Sequence, residues 1–380
     1  MILTALHGAV KIQKERLLLR GKNERMLLMS RLKFYILISA GLIVWLGGCA
    51  TQPKPQIMDL YVDAVILNEA DKPKEAVEKL NQAVRINDKF FLAWSLMGDI
   101  YQSLKEYEKA VATYEKASQL NPWSFKDYFE LGRTYQLMEN FVMAVKAYGR
   151  ALEINPDDYK ANLYNAQSYY AMKDYQNAIE YGQKASQIDP NETESLILIG
   201  RIYDDNKDYH KAIAVYKRAI EKDSSNTKVM TNLAAAYLKT DRVEPAMELL
   251  EDVRQKEPAN NQVYQYLGYA NLLLYSKTVK EYNAAAEQGQ DVNSLQEKLS
   301  EYLDSSIKNY QQAIRMDEND WESHRGLGVA YVLMSKKVGG MLGRSYKKKA
   351  VEHWRTSLDI KPDQPNREGL LKLIEKYSAE

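Results

Sequence analysis

Small and aromatic residues recur along this chain at a fixed spacing of 34 residues. Alanines stand at 110, 144, 178, 212 and 246, and tyrosines at 101, 135, 169, 203 and 237. A second aromatic beat runs through Tyr107, Phe141, Tyr175 and Tyr209. Pro122, Pro156, Pro190 and Pro258 follow Asn121, Asn155, Asp189 and Glu257. Each proline ends one helix before the next begins, because it lacks an N–H and steers the preceding residue away from helical geometry. The pattern predicts an all-α chain. Towards the end, Leu370, Leu371, Leu373 and Ile374 make 366–377 an amphipathic helix, read within 365–380 as a cap over the last repeat.

The clearest period reads Trp94-Ser95-Leu96-Met97-Gly98-Asp99-Ile100-Tyr101, followed by Ala110, Tyr114, Ala117 and Pro122. The next has Tyr128, Leu131, Gly132, Tyr135, Ala144, Tyr148, Ala151 and Pro156. These residues at this period resemble the tetratricopeptide repeat (TPR). The resemblance implies a right-handed TPR solenoid, a superhelix of antiparallel helix pairs, in which no pair buries its apolar face alone. Repeats are assigned to 57–90, 91–124, 125–158, 159–192, 193–226, 227–260, 261–320 and 321–364, eight in all. The seventh holds about 26 extra residues, near 281–305, and the eighth about ten, near 336–347. Repeats 1, 7 and 8 depart most from the pattern: Ala64 and Leu67 replace Gly and Tyr, and Asn271 stands where Tyr is expected. Small residues such as Gly98, Ala110 and Ala117 let helix axes approach, and Trp94, Tyr101 and Tyr114 fill the space between. Tyrosine suits such a place because its ring is apolar while its hydroxyl reaches water or backbone.

The one long apolar run, Phe34 to Leu46, is preceded by Arg31 and Lys33. It is short for a membrane span and fits a signal peptide. It ends Leu46-Gly47-Gly48-Cys49, which resembles a bacterial lipobox. That resemblance implies a lipoprotein signal peptide over 1–48 and acylation of Cys49, the sole cysteine; separately, the basic stretch before Met26 or Met29 reads as an over-long N-terminus. Ala50 stands where Asp would signal inner-membrane retention in enterobacteria-like sorting, so in a cell with two membranes the resemblance implies the periplasmic face of the outer one. Residues 49–56, with Pro53 and Pro55, read as a lipidated tether. One cysteine also rules out an internal disulfide framework.

The full chain has 52 Lys and Arg against 51 Asp and Glu. Without residues 1–49 the balance is 44 to 49, a net charge of −5, so no nucleic-acid partner is expected. TPR solenoids bind partner proteins chiefly on a concave face lined by the first helix of each repeat, at repeat positions 2, 5, 9 and 12. Here those positions give Lys126, Phe129, Arg133 and Gln136, then Lys160, Leu163, Gln167 and Tyr170. The fifth repeat gives Glu194, Ile197, Arg201 and Asp204, and the seventh Gln262, Gln265, Tyr269 and Leu272. Aromatics and aliphatics mixed with Arg and Lys suit an amphipathic, partly acidic segment; the alternative is a helix face that is merely solvated. No repeat has Lys at position 5 with Asn at position 9, so a carboxylate clamp is excluded.

Chemistry is sparse. His210, His324 and His353 are too scattered to share a ligand spacing, and no nucleophile elbow is present. No enzymatic activity, cofactor or metal is expected. The Gly339-Gly340-Met341-Leu342-Gly343-Arg344 stretch is not a phosphate loop, since its spacing is wrong and no strand precedes it. With Lys336, Lys337, Lys347, Lys348 and Lys349 it is either a basic patch for an anionic partner or lipid headgroup, or a solvated loop. Segment 281–305 reads as two helices prolonged into a protruding hairpin, a handle for a partner or a tolerated insertion. Two functions remain open: an envelope scaffold for assembling a secretion, pilus or polysaccharide-export machine, and a binding module for an exported glycan or other non-protein ligand.

Overall fold

The computed structural model describes residues 55–378. The span read as a signal peptide (1–48), Cys49 and most of the span read as a tether lie outside these residues. The described chain is all helical and divides into two compact units between Ile188 and Asp189.

Unit 1 holds four helix pairs. They are α1 (Pro55–Glu69) with α2 (Pro73–Ile86), and α3 (Phe91–Ser103) with α4 (Tyr107–Leu120). Then come α5 (Phe125–Leu137) with α6 (Phe141–Ile154), and α7 (Tyr159–Ala171) with α8 (Tyr175–Ile188). Helix α1 begins at Pro55, inside the span read as tether.

Unit 2 continues with α9 (Glu194–Asp205) and α10 (Tyr209–Lys222), then α11 (Thr227–Lys239) and α12 (Val243–Lys256). Its longer pairs are α13 (Asn261–Glu287) with α14 (Asn293–Met316), and α15 (Trp321–Val338) with α16 (Gly340–Ile360). Helix α17 (Arg367–Ser378) follows, with Leu370 and Ile374 buried in the same core as Trp354.

The turn within each regular pair has one repeating design. Asp71, Lys105, Glu139, Lys173, Lys207 and Asp241, each 34 residues apart, all have φ between 57° and 61°. The N–H after each reaches back to the last turn of the first helix, as Glu106 does to the Tyr101 carbonyl at 2.9 Å and Arg242 to that of Tyr237 at 2.9 Å. This is a Schellman closure, which satisfies carbonyls the helix end would orphan. The extra residues of the seventh repeat prolong both its helices and move the reversal to Gly289, φ 67°. Those of the eighth do the same. The stretch around Gly339 is therefore no loop: Gly339 alone separates the end of α15 from the start of α16.

The core is a ladder of rings. Tyr114, Tyr148, Tyr216, Tyr310 and Trp354 occupy the same place in their repeats and are fully buried. Each ring lies against a glycine of the paired first helix, namely Gly98, Gly132, Gly200, Gly268 and Gly328. The phenols reach polar side chains rather than backbone: Tyr114 donates to Asp99 at 2.8 Å and Tyr148 to Gln136 at 2.9 Å. Repeats 1, 4 and 6 have no ring at this place; repeat 4 holds Ala166 and Gly182 at the two positions. Unit 1 ends six residues later.

Candidate functional site: the face of the first helices

Every second helix packs its small and aromatic stripe against its neighbours, so the first helices carry the remaining patterned face. In unit 1 this face is a tightly bonded surface. Lys126 pairs with Asp99 at 2.5 Å and also donates to the Ser95 hydroxyl at 3.2 Å. Ser95 donates to buried Asp127 at 2.5 Å, and burial raises that carboxyl above its usual range, opposed by its bonds to Ser124 and Ser95. Arg133 is engaged by Glu130 one turn earlier, at 2.9 Å. Burial pushes the Glu130 carboxyl up, while Arg133 pulls it back. Gln136 donates to Gln167 across repeats at 3.2 Å.

Phe129 is enclosed by rings. Phe125, Tyr148 and Tyr164 have centroids 5.7, 5.9 and 5.8 Å from it. Tyr170 is half-buried with Tyr175 6.2 Å away, and Lys160 is exposed. Leu163 corrects the sequence reading: at 1% exposure it is core. Its neighbours Asn162, Asn165 and Ala166 on α7 are buried with it, so position 5 of this repeat lies inside the packed interface.

In unit 2 the face opens into a cleft of about 500 Å³. Tyr266, Tyr269, Leu272 and Leu273 from α13 form one wall, Arg325, Gly326 and Val329 from α15 the other, and Tyr310 the floor. The floor ring is held between Gly268 and Gly326, whose added Cβ atoms would lie 2.8 and 2.3 Å from it. Tyr269 is 42% exposed and Val329 38%. Charges stand at the rim. Gln265 donates to Glu322 at 2.6 Å, and Lys239 pairs with Asp204 at 2.7 Å. Burial, reinforced by the Glu322 and Asp204 carboxylates, pushes the Tyr266 phenol up to about 12, so it is a neutral hydroxyl at physiological pH.

Of the residues expected on this face in unit 2, Tyr269, Gln265 and Leu272 meet in the cleft. Ile197 is buried in the hydrophobic core, a second correction, and Arg201 is exposed with interactions of its own. Glu322, Arg325 and Val329 were missed, although they stand at positions 2, 5 and 9 of the eighth repeat. The same period that selects Gln262, Gln265 and Tyr269 in the seventh repeat selects these three in the eighth. Tyr266 and Lys239 sit at positions that the rule does not select.

One pair escaped the sequence entirely. His324 and His353, 29 residues apart, meet with their Nδ1 atoms 2.9 Å apart, and His324 Nε2 lies 3.2 Å from the Glu318 carbonyl. Two nitrogens facing each other at hydrogen-bond distance form one proton-sharing contact. Among the described residues no group of three or more His, Cys, Asp or Glu could hold a metal. Among them, too, no helix is long and apolar enough to cross a membrane.

Family models described as "Tetratricopeptide repeat" match residues 91–124 and 205–268. One described as "Anaphase-promoting complex, cyclosome, subunit 3" matches 138–219. No curated protein matches significantly. Among solved structures, a tetratricopeptide repeat protein from Parabacteroides merdae is 14% identical, covering 73% of this chain and 99% of its own, with a TM-score of 0.49. YrrB, described as a TPR protein with an unusual peptide-binding site, is 20% identical over 49% of this chain and 96% of its own, at 0.44. MamA from Desulfovibrio magneticus RS-1 is 20% identical over 46% and 98%, at 0.43.

Proposed function

Because the chain belongs to the tetratricopeptide-repeat family, we propose that it is a non-enzymatic scaffold that binds other proteins along the face of its first helices. The observation that carries this reading is the cleft between α13 and α15. Its walls offer exposed apolar surface at Tyr269 and Val329 over a rigid floor, and its rim carries both signs of charge. An extended or helical segment with one or two large apolar side chains would bury them there, with polar neighbours meeting Arg325 or Glu322. A buried aromatic anchor within a polar rim is the usual way such a surface gains affinity.

The finer reading places this scaffold in the bacterial cell envelope, held by acylated Cys49 on the periplasmic face of the outer membrane. There it would help assemble a secretion, pilus or polysaccharide-export complex. The support is the sequence Leu46-Gly47-Gly48-Cys49-Ala50 after an apolar run. Several acyl chains give stable anchoring, whereas one gives marginal binding.

The test uses the tagged full chain expressed in its own cells. Partners recovered with the wild type should be lost from the Tyr269→Ala, Val329→Asp double variant while helicity stays unchanged. Unchanged recovery defeats the cleft. Loss of binding to isolated envelope glycan in the same variant, with protein recovery intact, would reassign the cleft to a non-protein ligand. For the anchor, intact mass of the cell-derived protein should show fatty adducts that Cys49→Ser lacks.

A further inference from the structure

The corner between α15 and α16 carries more cations and more bare apolar surface than packing requires. From Lys336 to Lys349 the chain has six Lys or Arg and no Asp or Glu. Elsewhere in unit 2 basic residues sit beside acids, as Lys211 does with Asp208 and Lys256 with Asp252. Among the described residues no carboxylate pairs with Lys336, Lys337, Arg344 or Lys348. At the apex Met341 is 81% exposed and Leu342 56%, and Val338 beside them is also open.

This apex is built and firm. Gly339 and Gly340 have φ of 63° and 54°, a left-handed step that reverses the chain within two residues. A Cβ on Gly343 would lie 2.8 Å from the Ser335 carbonyl oxygen, so glycine is what lets α16 cross α15 this closely. The Gly343 N–H donates to the Gly339 carbonyl at 2.7 Å. Behind the apex the rings of Tyr331 and Tyr346 lie 5.6 Å apart, with Lys349 over both at 5.8 and 5.5 Å. The reversal therefore holds Met341 and Leu342 out in water, at a standing hydrophobic cost that packing within the chain does not relieve.

We propose that this corner docks on a bilayer of anionic phospholipid. Met341 and Leu342 enter the boundary between headgroups and acyl chains, and Lys336, Lys337, Arg344 and Lys348 meet the lipid phosphates. Two observations favour lipid over an acidic protein. The cations are mostly lysines, which protein interfaces disfavour and anionic membranes attract. The apolar side chains form a protruding tip without Trp or Tyr, lacking the aromatic anchor that protein hot spots favour. A bilayer needs no pocket, only apolar atoms that enter and cations that stay at the surface.

The test uses the full chain with Cys49→Ser and Met341→Cys, so that an environment-sensitive fluorophore attaches at position 341 alone. It is mixed with vesicles of phosphatidylcholine, or of an equal mixture of phosphatidylcholine and phosphatidylglycerol. The emission should shift to the blue, and quenchers in the acyl chains should reach the dye, only with the anionic vesicles. High salt should reverse both changes. In the same background, Lys336→Gln or Lys337→Gln should each lower the apparent partition coefficient about fivefold. An equal shift with neutral vesicles, no shift with either, or indifference to the lysine variants would overturn the proposal. That last outcome is what the apolar N-terminal run alone would produce. A shift with soluble polyglutamate but not with vesicles would also overturn it, by assigning the corner to an acidic protein.

Discussion

Gly98 lies flat against the ring of Tyr114, so close that a Cβ on Gly98 would fall 2.5 Å from the ring's Cε1. The same relation joins Gly132 to Tyr148 and Gly200 to Tyr216. In repeats 1 and 6 the two positions hold Ala64 with Leu80 and Ala234 with Leu250, all fully buried. Size is traded across the pair: glycine faces tyrosine and alanine faces leucine. Gly98→Ala should therefore cost about 1–3 kcal/mol by overpacking. Adding Tyr114→Leu to it should cost less than the two single changes summed. Urea unfolding of the four proteins gives this coupling directly, and simple additivity would contradict the interlock.

Six non-glycine residues hold the left-handed turn position, and the strain they carry is recoverable. Lys105→Gly and Lys173→Gly should each stabilise the fold by about 0.5–1 kcal/mol, because glycine has no Cβ to crowd the following carbonyl. A control glycine at Lys109, within α4, should destabilise by about 1 kcal/mol. Thermal melts of the three variants distinguish the cases.

The His324–His353 contact makes the end of unit 2 sensitive to acid. Burial, then the nearby His324 and Lys349, lower His353 from 6.5 to about 4. The folded state thus resists a proton that the unfolded state accepts. The contribution to stability is full above about pH 6.5 and is lost as pH falls towards about 4. Allowing for partial exposure, the loss is about 2 kcal/mol. His353→Gln should flatten this part of the stability–pH profile. A profile as steep as that of the wild type between those limits would place the acid sensitivity elsewhere.

Phe129 and Tyr269 both occupy expected face positions yet should behave differently. Phe129 is enclosed by three rings, so Phe129→Ala should cost about 2 kcal/mol of stability. Tyr269 stands open at the cleft wall, and Tyr269→Ala should change stability by less than about 0.5 kcal/mol. Chemical denaturation separates a residue that holds the fold from one that is free to hold a partner.

The helix pairs were legible because the repeat places small and aromatic residues where packing demands them, and the beat at Ala110 or Tyr101 survives in a single sequence. The turn was less so. Lys105 and Glu139 take a conformation usually marked by Gly or Asn, and nothing in their chemistry announces it. Charge partners were hidden for another reason. Lys126 could be placed on the face by its position, but its bond to Asp99 depends on the register between neighbouring repeats. The corner at Gly339 looked like a loop because glycines break helices, whereas here Gly343 serves the close crossing of two helices. His324 and His353 are paired by tertiary approach alone, which spacing along the chain does not reveal.

The central claim is that the cleft between α13 and α15 is where a partner protein sits. A photo-crosslinking amino acid placed at Tyr269, at Val329, or at exposed Lys372 on α17 reports this directly in the cells that make the protein. The account predicts one shared crosslinked protein band from positions 269 and 329 and none from 372. Crosslinks from 372 alone, or none at either cleft position while the tagged chain still recovers its partners, would contradict it.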